Sequence, residues 1–357
     1  MTQGPLLPDG LRQQIHSSTR RAEADLALEW SGWANHRWRL ELSAAEAKLI
    51  DAWWAFNVDL LTWEPLLTLR RYTGDLNFID EDARRTIQSL VLQDQWSVME
   101  RLEITAGLRY DRYSDVGDNL SPRLAAVWRL TNEHLLKAQI AEAFFPPTLL
   151  QVNGQSSILS HRFPSDAETA RTTELGYIFR HDQSVARATL FDSQLKDLIV
   201  YENGNYLNRG EARLQGVEFE WEQRFGPAWK MLANLSYTDA EDKATDGPVP
   251  GSARWLGNLS LFYRPRPDML LTGRWRYVGD RARGADDPRD EPLAGYNDLS
   301  LTFNWFNAGM TGLTLRAGVT NLLGETIRSP APLLTYFDDY LLLDERAGWV
   351  QFSYDIQ

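Results

Sequence analysis

Apolar and polar residues alternate with a period of two along much of this chain. In residues 101–112, apolar side chains at even positions alternate with polar or small residues at odd positions. The same alternation runs through residues 213–222, 298–305, 313–320 and 350–357. Because successive side chains of a β-strand point to opposite faces of its sheet, this pattern predicts amphipathic strands.

The length of these segments and the charge on their polar face indicate where the strands lie. Segments of about ten residues can cross a bilayer when tilted, whereas strands of soluble proteins commonly have about five or six residues. Glu218, Glu220 and Glu222 fall in one polar row. Such a row is costly in a packed core but not along a water-filled lumen. The predicted fold is therefore all-β, a transmembrane antiparallel β-barrel whose other face meets lipid.

The connections between the predicted strands alternate between short and long. Short turns are predicted near residues 98–101, 130–133, 180–183, 224–227, 264–268 and 306–311. Long loops are predicted near residues 113–119, 146–169, 197–210, 240–252, 280–294 and 322–346. Outer-membrane barrels have short turns on the periplasmic side and longer loops outside, whereas a β-sandwich has no reason to alternate its loop lengths.

The amino-terminal quarter has a weaker pattern. Strands are predicted at residues 22–31, 34–43, 48–58, 62–73 and 85–97, and residues 43–53 could equally form a short helix by propensity. The total is about seventeen strands, an odd number, whereas single-chain bacterial barrels have even numbers. The start of the chain also lacks the basic and apolar blocks of a signal peptide. We therefore expect residues 1–21 to be an unassigned segment and residues 22–357 to be an incomplete barrel.

Composition excludes several classes of function. The chain has no cysteine, which excludes thiol catalysis, disulfides and cysteine-ligated metals, and its five histidines lack ligand spacing. A net charge of −12 without a basic cluster argues against nucleic acid as a partner. Nucleophile-elbow, phosphate-loop and zinc-protease motifs are absent. The chain is therefore predicted not to be an enzyme, and no cofactor is implied.

Six segments in order resemble the later barrel strands of TonB-dependent outer-membrane receptors. They include an aromatic and proline box before a long loop, a Gln-Gly-Val-Glu strand and a near-terminal asparagine-leucine box. The segments lie within residues 134–149, 163–180, 190–222, which contains two of them, 250–279 and 317–324. The resemblance covers roughly residues 86–357, and Ala167-Glu168-Thr169 replaces the family's usual proline-containing turn.

The resemblance implies a barrel of twenty-two strands, of which this chain would form about seventeen, the sixth to the twenty-second. It also implies a location in the bacterial outer membrane, in contact with lipid. The cargo would be a small-molecule ligand, with an iron–siderophore complex as the leading choice and cobalamin, haem or a glycan as alternatives. Energy would come through the TonB–ExbB–ExbD complex only if a plug domain is supplied, since this chain shows no plug or TonB box. The last residue, Gln357, replaces the family's usual terminal aromatic residue.

Five residues are candidates for binding the ligand. Tyr201, Asn205 and Tyr206 fall in the predicted 197–210 loop at the mouth of the barrel. Arg274 and Arg276 would point into the lumen, where they could contact an anionic ligand or, as the favoured alternative, pair with lumen carboxylates or a plug.

Two further patterns have ordinary explanations. An acidic loop containing Asp286, Asp287, Asp290 and Glu291 could hold calcium, although a solvated loop is favoured because the spacing is not that of a calcium-binding loop. Tryptophans on the apolar faces are predicted to form a girdle at the lipid interface. These tryptophans are Trp128, Trp229, Trp255 and Trp275.

Two alternatives from other classes stay open at this point. A barrel without a plug could be a passive pore or a non-functional fragment. A soluble all-β carbohydrate-binding protein would also contain many amphipathic strands.

Overall fold

A computed structural model of the chain contains one antiparallel sheet of seventeen strands. It describes residues 10–154, 166–202, 205–284, 287, 289, 291–329, 339 and 345–355, without the side chains of residues 201, 202 and 205. The first strands are β1 (Gln13–Trp30), β2 (His36–Val58), β3 (Pro65–Tyr72), β4 (Arg84–Met99), β5 (Leu102–Tyr113), β6 (Gly117–Arg129), β7 (His134–Phe145), β8 (Glu168–His181) and β9 (Ser184–Glu202). The remaining strands are β10 (Asn205–Phe225), β11 (Trp229–Asp242), β12 (Gly247–Pro248), β13 (Trp255–Arg266), β14 (Met269–Val278), β15 (Tyr296–Phe306), β16 (Leu313–Thr320) and β17 (Ala347–Tyr354).

The strands pair with their sequence neighbours, so the sheet is an up-and-down meander. Both β3 and β4 lie along one edge of β2, and both β12 and β13 lie along one edge of β11. The seventeen strands therefore fill fifteen positions across the sheet. This confirms the predicted all-β antiparallel architecture. Fifteen positions, rather than seventeen, would correspond to strands eight to twenty-two of a twenty-two-stranded receptor barrel, instead of the expected strands six to twenty-two. Within the described residues no pairing joins β1 to β17.

The amino-terminal strands are longer than the sequence pattern indicates. The first strand begins at Gln13, nine residues before the expected boundary at residue 22. Residues 36–58 form one continuous strand, so the short helix considered for residues 43–53 is wrong. Hydrogen bonding of β2 to β1 on one edge and to β4 on the other outweighs the helical propensity of its alanines and glutamate. The helices in the described residues are a 3₁₀ turn at Gly74–Leu76 and a single turn, α1, at Leu149–Asn153.

Seven connections of two to six residues lie at one end of the sheet in the described residues, and six of them are at the predicted places. They comprise residues 31–35, 100–101, 130–133, 182–183, 226–228, 267–268 and 307–312. The opposite end has the long connections, including residues 146–167, 279–295 and 321–346. By the barrel convention, the short turns mark the periplasmic end and the long connections mark the outer end.

Two of the predicted outer loops are wrong. The loop expected near residues 113–119 is a three-residue turn, 114–116. The loop expected at 197–210 is a continuation of β9 and β10, which are joined by residues 203–204 alone. Backbone pairing continues through two register irregularities near Gly210, so β-structure extends beyond the length that crosses a bilayer.

Cross-strand register separates an apolar face from a polar face over the whole sheet. Side chains directly opposite each other lie on the same face. Leu26, Leu42, Leu90, Tyr110 and Leu120 form one such continuous row across five neighbouring strands. These apolar side chains are exposed in the isolated chain. Exposed apolar rows on every strand are what a lipid-facing wall requires.

The tryptophans predicted as a girdle lie on this apolar face near the strand ends. Trp128 and Trp229 are close to the periplasmic turns, and Trp255 and Trp275 are close to the outer connections. Trp229 stacks on Tyr263 with ring centroids 4.2 Å apart, and the Trp275 indole donates a hydrogen bond to Asn297 at 3.0 Å. Two aromatic belts at the two interfaces are typical of outer-membrane barrels.

None of the described helices is long and apolar enough to cross a membrane.

Candidate functional site

Several charged side chains on the polar face are paired with one another. Asp111 is fully buried and accepts two hydrogen bonds of 2.6 Å from the Arg109 guanidinium, as well as one from the Ser89 hydroxyl. The predicted glutamate row lies on this face. Within it, Glu220 pairs with Arg187 at 3.1 Å and Glu222 pairs with Lys230 at 2.7 Å. Part of the lumen face is therefore cross-linked by its own ion pairs.

Arg274 and Arg276 are two of several cations on this face that make no such pair within the described residues. Both lie on the polar face of β14, in the half nearer the outer end of that strand, and both are exposed. Arg274 is opposite Ser260 and Ser300, whereas Arg276 is opposite Asn258 and Asp298. Among the described residues, no carboxylate oxygen lies within 4.0 Å of either guanidinium. The pairing with lumen carboxylates that the sequence analysis favoured is therefore not formed within the described part of the chain.

The Tyr296 ring lies between Arg276 of this pair and Arg281 of an outer loop. The Arg276 guanidinium lies 5.7 Å from the centre of the Tyr296 ring, and that of Arg281 lies 5.3 Å from the same ring. Arg281 is buried, and its guanidinium donates to the backbone oxygens of Arg328 and Ala294, while its Nε has no partner among the described atoms. Burial lowers the pKa of Arg281, and the nearby Arg276 charge lowers it further. The outer part of the polar face is therefore a cationic zone.

Above this zone, two outer loops are joined by a compact ion-pair cluster. Arg283 pairs with Asp339 and, at 3.3 Å, with Asp287, and Arg289 pairs with Asp287 at 2.6 Å and with Asp339 at 3.0 Å. We call these four residues the loop clamp. The clamp links residues 279–295 to residues 321–346, and its four charges cancel.

The loop clamp contains Asp287, one of the carboxylates of the predicted acidic loop. The Asp287 side chain is only 10% exposed and is held by two guanidiniums, so it is neither solvated nor available to a cation. Asp286 and Asp290 lie outside the described residues. Within the described residues no cluster of three or more metal-ligating side chains occurs.

Acidification is expected to open the loop clamp. A hydrogen bond from Arg289 is the main reason why the pKa of Asp287 lies far below its ordinary value. A carboxyl group with a lowered pKa stabilises the clamp fully above its ordinary pKa of about 3.9, and this contribution is lost as the pH falls toward the lowered value. Spin labels at residues 294 and 325 should keep one separation between pH 7 and pH 5, and should broaden below about pH 3. Asp287→Asn should broaden the distribution already at pH 7, whereas Asp246→Asn, in a neighbouring turn, should not. A separation that does not change with pH in the unmodified chain would contradict the clamp.

A cavity of about 580 Å³ lies beside the loop clamp, between the outer ends of β11, β13 and β14. Its lining combines aromatic rings, guanidiniums and the carboxylates of Asp280 and Asp287. The lining residues include Arg254, Trp255, Tyr277, Asp280, Arg283 and Arg289. Trp255 and Tyr277 belong to the apolar face of the wall, so this cavity is not part of the lumen.

The remaining candidates lie at the tip of the β9–β10 hairpin. Tyr201 is opposite Tyr206, and Asn205 is opposite Glu202, in antiparallel register. Tyr206 is partly buried, and the side chains of Tyr201 and Asn205 lie outside what the structure describes. These three residues belong to strands rather than to the predicted loop, and their role as ligand contacts stays a prediction.

The comparison with known proteins agrees with this architecture. Residues 4–322 match the family model "TonB dependent receptor-like, beta-barrel". The ferric enterobactin receptor of Pseudomonas aeruginosa is 28% identical over 286 residues, which is 68% of this chain and 38% of the relative. The ferrienterobactin receptor of Escherichia coli is 24% identical over 284 residues, covering 69% of this chain and 37% of the relative. This chain thus spans under two fifths of the length of these relatives.

A solved structure shows the same fold. The siderophore receptor PirA from Acinetobacter baumannii superimposes with a TM-score of 0.71 at 18% identity, over 94% of this chain and 54% of that chain. The soluble carbohydrate-binding alternative is therefore wrong, because the matching proteins are outer-membrane receptors. The chain belongs to the TonB dependent receptor-like β-barrel family of the bacterial outer membrane.

Proposed function

We propose that this chain forms the wall and outer mouth of a receptor that imports an anionic iron–siderophore complex. The observation that supports this most is the Arg274 and Arg276 pair, two exposed guanidiniums on the lumen face without a carboxylate within 4.0 Å in the described residues. Two neighbouring cations without a carboxylate partner near the outer end of the lumen suit a ligand that brings its own negative charge.

The cationic zone lies on the route such a ligand would take. The loops would capture the complex at the outer end, above the zone formed by Arg276, Tyr296 and Arg281. Arg276, Tyr296 and Arg274 would then hold it at the top of the lumen. Two of the relatives are named as receptors for ferric enterobactin, which supports an iron complex as the cargo of the present chain.

We extend the proposal to TonB as the source of energy, because the matching family model is TonB-dependent. No covalent chemistry is required, since the ligand would pass through the lumen unchanged. A passive pore differs in one measurable respect, because deletion of tonB would leave uptake through a pore unchanged and would abolish uptake through an energised receptor.

Binding of ferric enterobactin to Arg274→Gln/Arg276→Gln protein tests the proposal. Each charge-assisted hydrogen bond contributes about 1.5 kcal/mol or more, so we expect the Kd to rise about 100-fold. Tryptophan fluorescence titration of the chain in detergent micelles measures this Kd. The matched control is Arg180→Gln/Arg224→Gln, which removes two exposed cations from the periplasmic end of the same face. An unchanged Kd in the first variant, or an equal loss in the control, would refute the assigned role.

A further inference from the structure

Three basic side chains face one another across the first strands of the sheet. Arg20 on β1 is directly opposite Lys48 on β2, and Lys48 is directly opposite Arg84 on β4. We call these three residues the basic row. All three are exposed. The row stands out in a chain whose net charge is −12.

The basic row lies on the lipid-facing side of the sheet. Arg20 points to the same face as Leu26, Leu28 and Trp30, since all four occupy even positions of one regular strand. Lys48 shares its face with Leu42 in the same way. The row is therefore part of the outside of the wall and has no access to the lumen.

The spacing along the strand places the row at the outer edge of the bilayer. Arg20 is ten residues from Trp30, which lies beside a periplasmic turn. Ten residues span about 33 Å along a strand, or about 24 Å across a bilayer at a tilt of about 45°. The apolar band of outer-membrane barrels is about 25 Å tall. The basic row therefore lies at the level of the outer-leaflet head groups.

Within the chain the row has no anionic partner. Like charges directly opposite each other in a sheet repel. No carboxylate oxygen among the described residues lies within 4.0 Å of any of the three cations. The nearest acids on the same face of these strands are Glu46, one pair nearer the membrane centre, and Asp51, whose carboxylate pairs with His16 at 3.3 Å. The repulsion thus calls for an external anion.

The surface just outside the basic row carries a further cation, which lies against an aromatic ring. The Arg71 guanidinium lies 3.9 Å from the centre of the Trp53 ring, and His16 stacks on the same ring at 5.3 Å. Arg71 is exposed and has no carboxylate partner within 4.0 Å in the described part of the chain. An indole with a stacked cation suits the boundary between acyl chains and polar head groups.

We propose that the basic row binds the phosphate groups of a phosphorylated glycolipid in the outer leaflet. A phosphate at this level accepts hydrogen bonds from several cations at once and removes their mutual repulsion. The acyl chains of the same lipid would lie along the leucines below the row. This inference depends on the orientation of the sheet in the outer membrane and is independent of the proposed siderophore uptake.

Retention of diphosphorylated lipid A by the purified chain tests the inference. The chain is incubated with mixed micelles of detergent and lipid A and repurified, and bound lipid is counted by native mass spectrometry. Each cation contributes about fivefold to association with an anionic lipid surface, so Arg20→Gln/Lys48→Gln/Arg84→Gln should bind lipid A roughly 100-fold more weakly. Lipid A without its phosphates should bind the unmodified chain with a similar loss.

The control variant is Arg37→Gln/Arg101→Gln/Arg129→Gln, which removes three exposed cations near the periplasmic end. It should retain lipid A within about threefold of the unmodified chain. Equal retention by the two triple variants, equal binding of dephosphorylated lipid A, or displacement by excess inorganic phosphate would overturn the proposal. If the first triple variant fails to fold, as judged by circular dichroism, Lys48→Gln alone should still show a loss of about fivefold.

Discussion

Replacing Leu190 with arginine is expected to destabilise the folded chain in a bilayer by about 2–4 kcal/mol. Leu190 lies on the apolar face of β9, directly opposite Leu175 and Val217, and is 55% exposed in the isolated chain. Its position, six residues beyond the start of β9 at a periplasmic turn, places it near the middle of the membrane. A guanidinium there would have to leave water and displace lipid.

The neighbouring residue provides the matched control. Thr189 points to the polar face, opposite Glu218, so an arginine at residue 189 should stay hydrated and meet a carboxylate. We expect Thr189→Arg to change the free energy of unfolding by less than about 1 kcal/mol. Guanidinium titrations of both variants in phosphatidylcholine vesicles, followed by tryptophan fluorescence, measure the difference. Equal destabilisation by the two substitutions would mean that the faces are assigned wrongly.

Gly216→Ala is expected to destabilise the sheet by about 3 kcal/mol, although it adds a single methyl group. A Cβ atom at residue 216 would lie 2.0 Å from the backbone oxygen of Tyr237 on β11 and 2.9 Å from Cζ of Phe191 on β9. The Phe191 ring lies opposite Gly216 and occupies the space that a side chain would need. Relief requires β10 and β11 to separate locally, because the closer atom belongs to the backbone.

Gly176→Ala is the appropriate comparison. Gly176 also lies on the polar face in mid-strand, but the atoms nearest to a Cβ there are 3.7 Å or more away. Alanine should be neutral or stabilise the chain by about 0.4–1 kcal/mol, since it restricts the unfolded chain. Unfolding titrations should therefore show a loss of stability for Gly216→Ala and none for Gly176→Ala. A neutral Gly216→Ala variant would show that β10 and β11 are packed differently.

Much of the fold could be predicted because a period of two is a local signal. The strand at residues 102–113 follows directly from alternation, and so does the face of every residue in it. The lengths of the strands and the helical propensities of their residues predicted the structure less well. The alanine-rich centre of β2 resembles a helix until the hydrogen bonds to β1 and β4 are included, and those bonds are not visible in the local sequence.

The site was predictable only in part, for the same reason. Arg274 and Arg276 could be placed on the lumen face from parity alone, but the absence of a nearby carboxylate depends on the neighbouring strands. The loop clamp joins Arg283 to Asp339, 56 residues apart in the chain. The basic row combines single cations from three strands, each unremarkable in its own segment. Such juxtapositions are set by register, which no short stretch of sequence specifies.

The central claim, that one face of the sheet meets lipid and the other meets water, has a direct test. The chain has no cysteine, so single cysteines can be introduced without background at residues 103–108 of β5, one at a time. The chain is folded into lipid vesicles, and each cysteine carries a fluorophore that brominated lipids quench. We predict strong quenching at residues 104, 106 and 108, and weak quenching with rapid labelling by a charged, water-soluble thiol reagent at residues 103, 105 and 107. Uniform quenching along the segment, or the opposite alternation, would contradict the account.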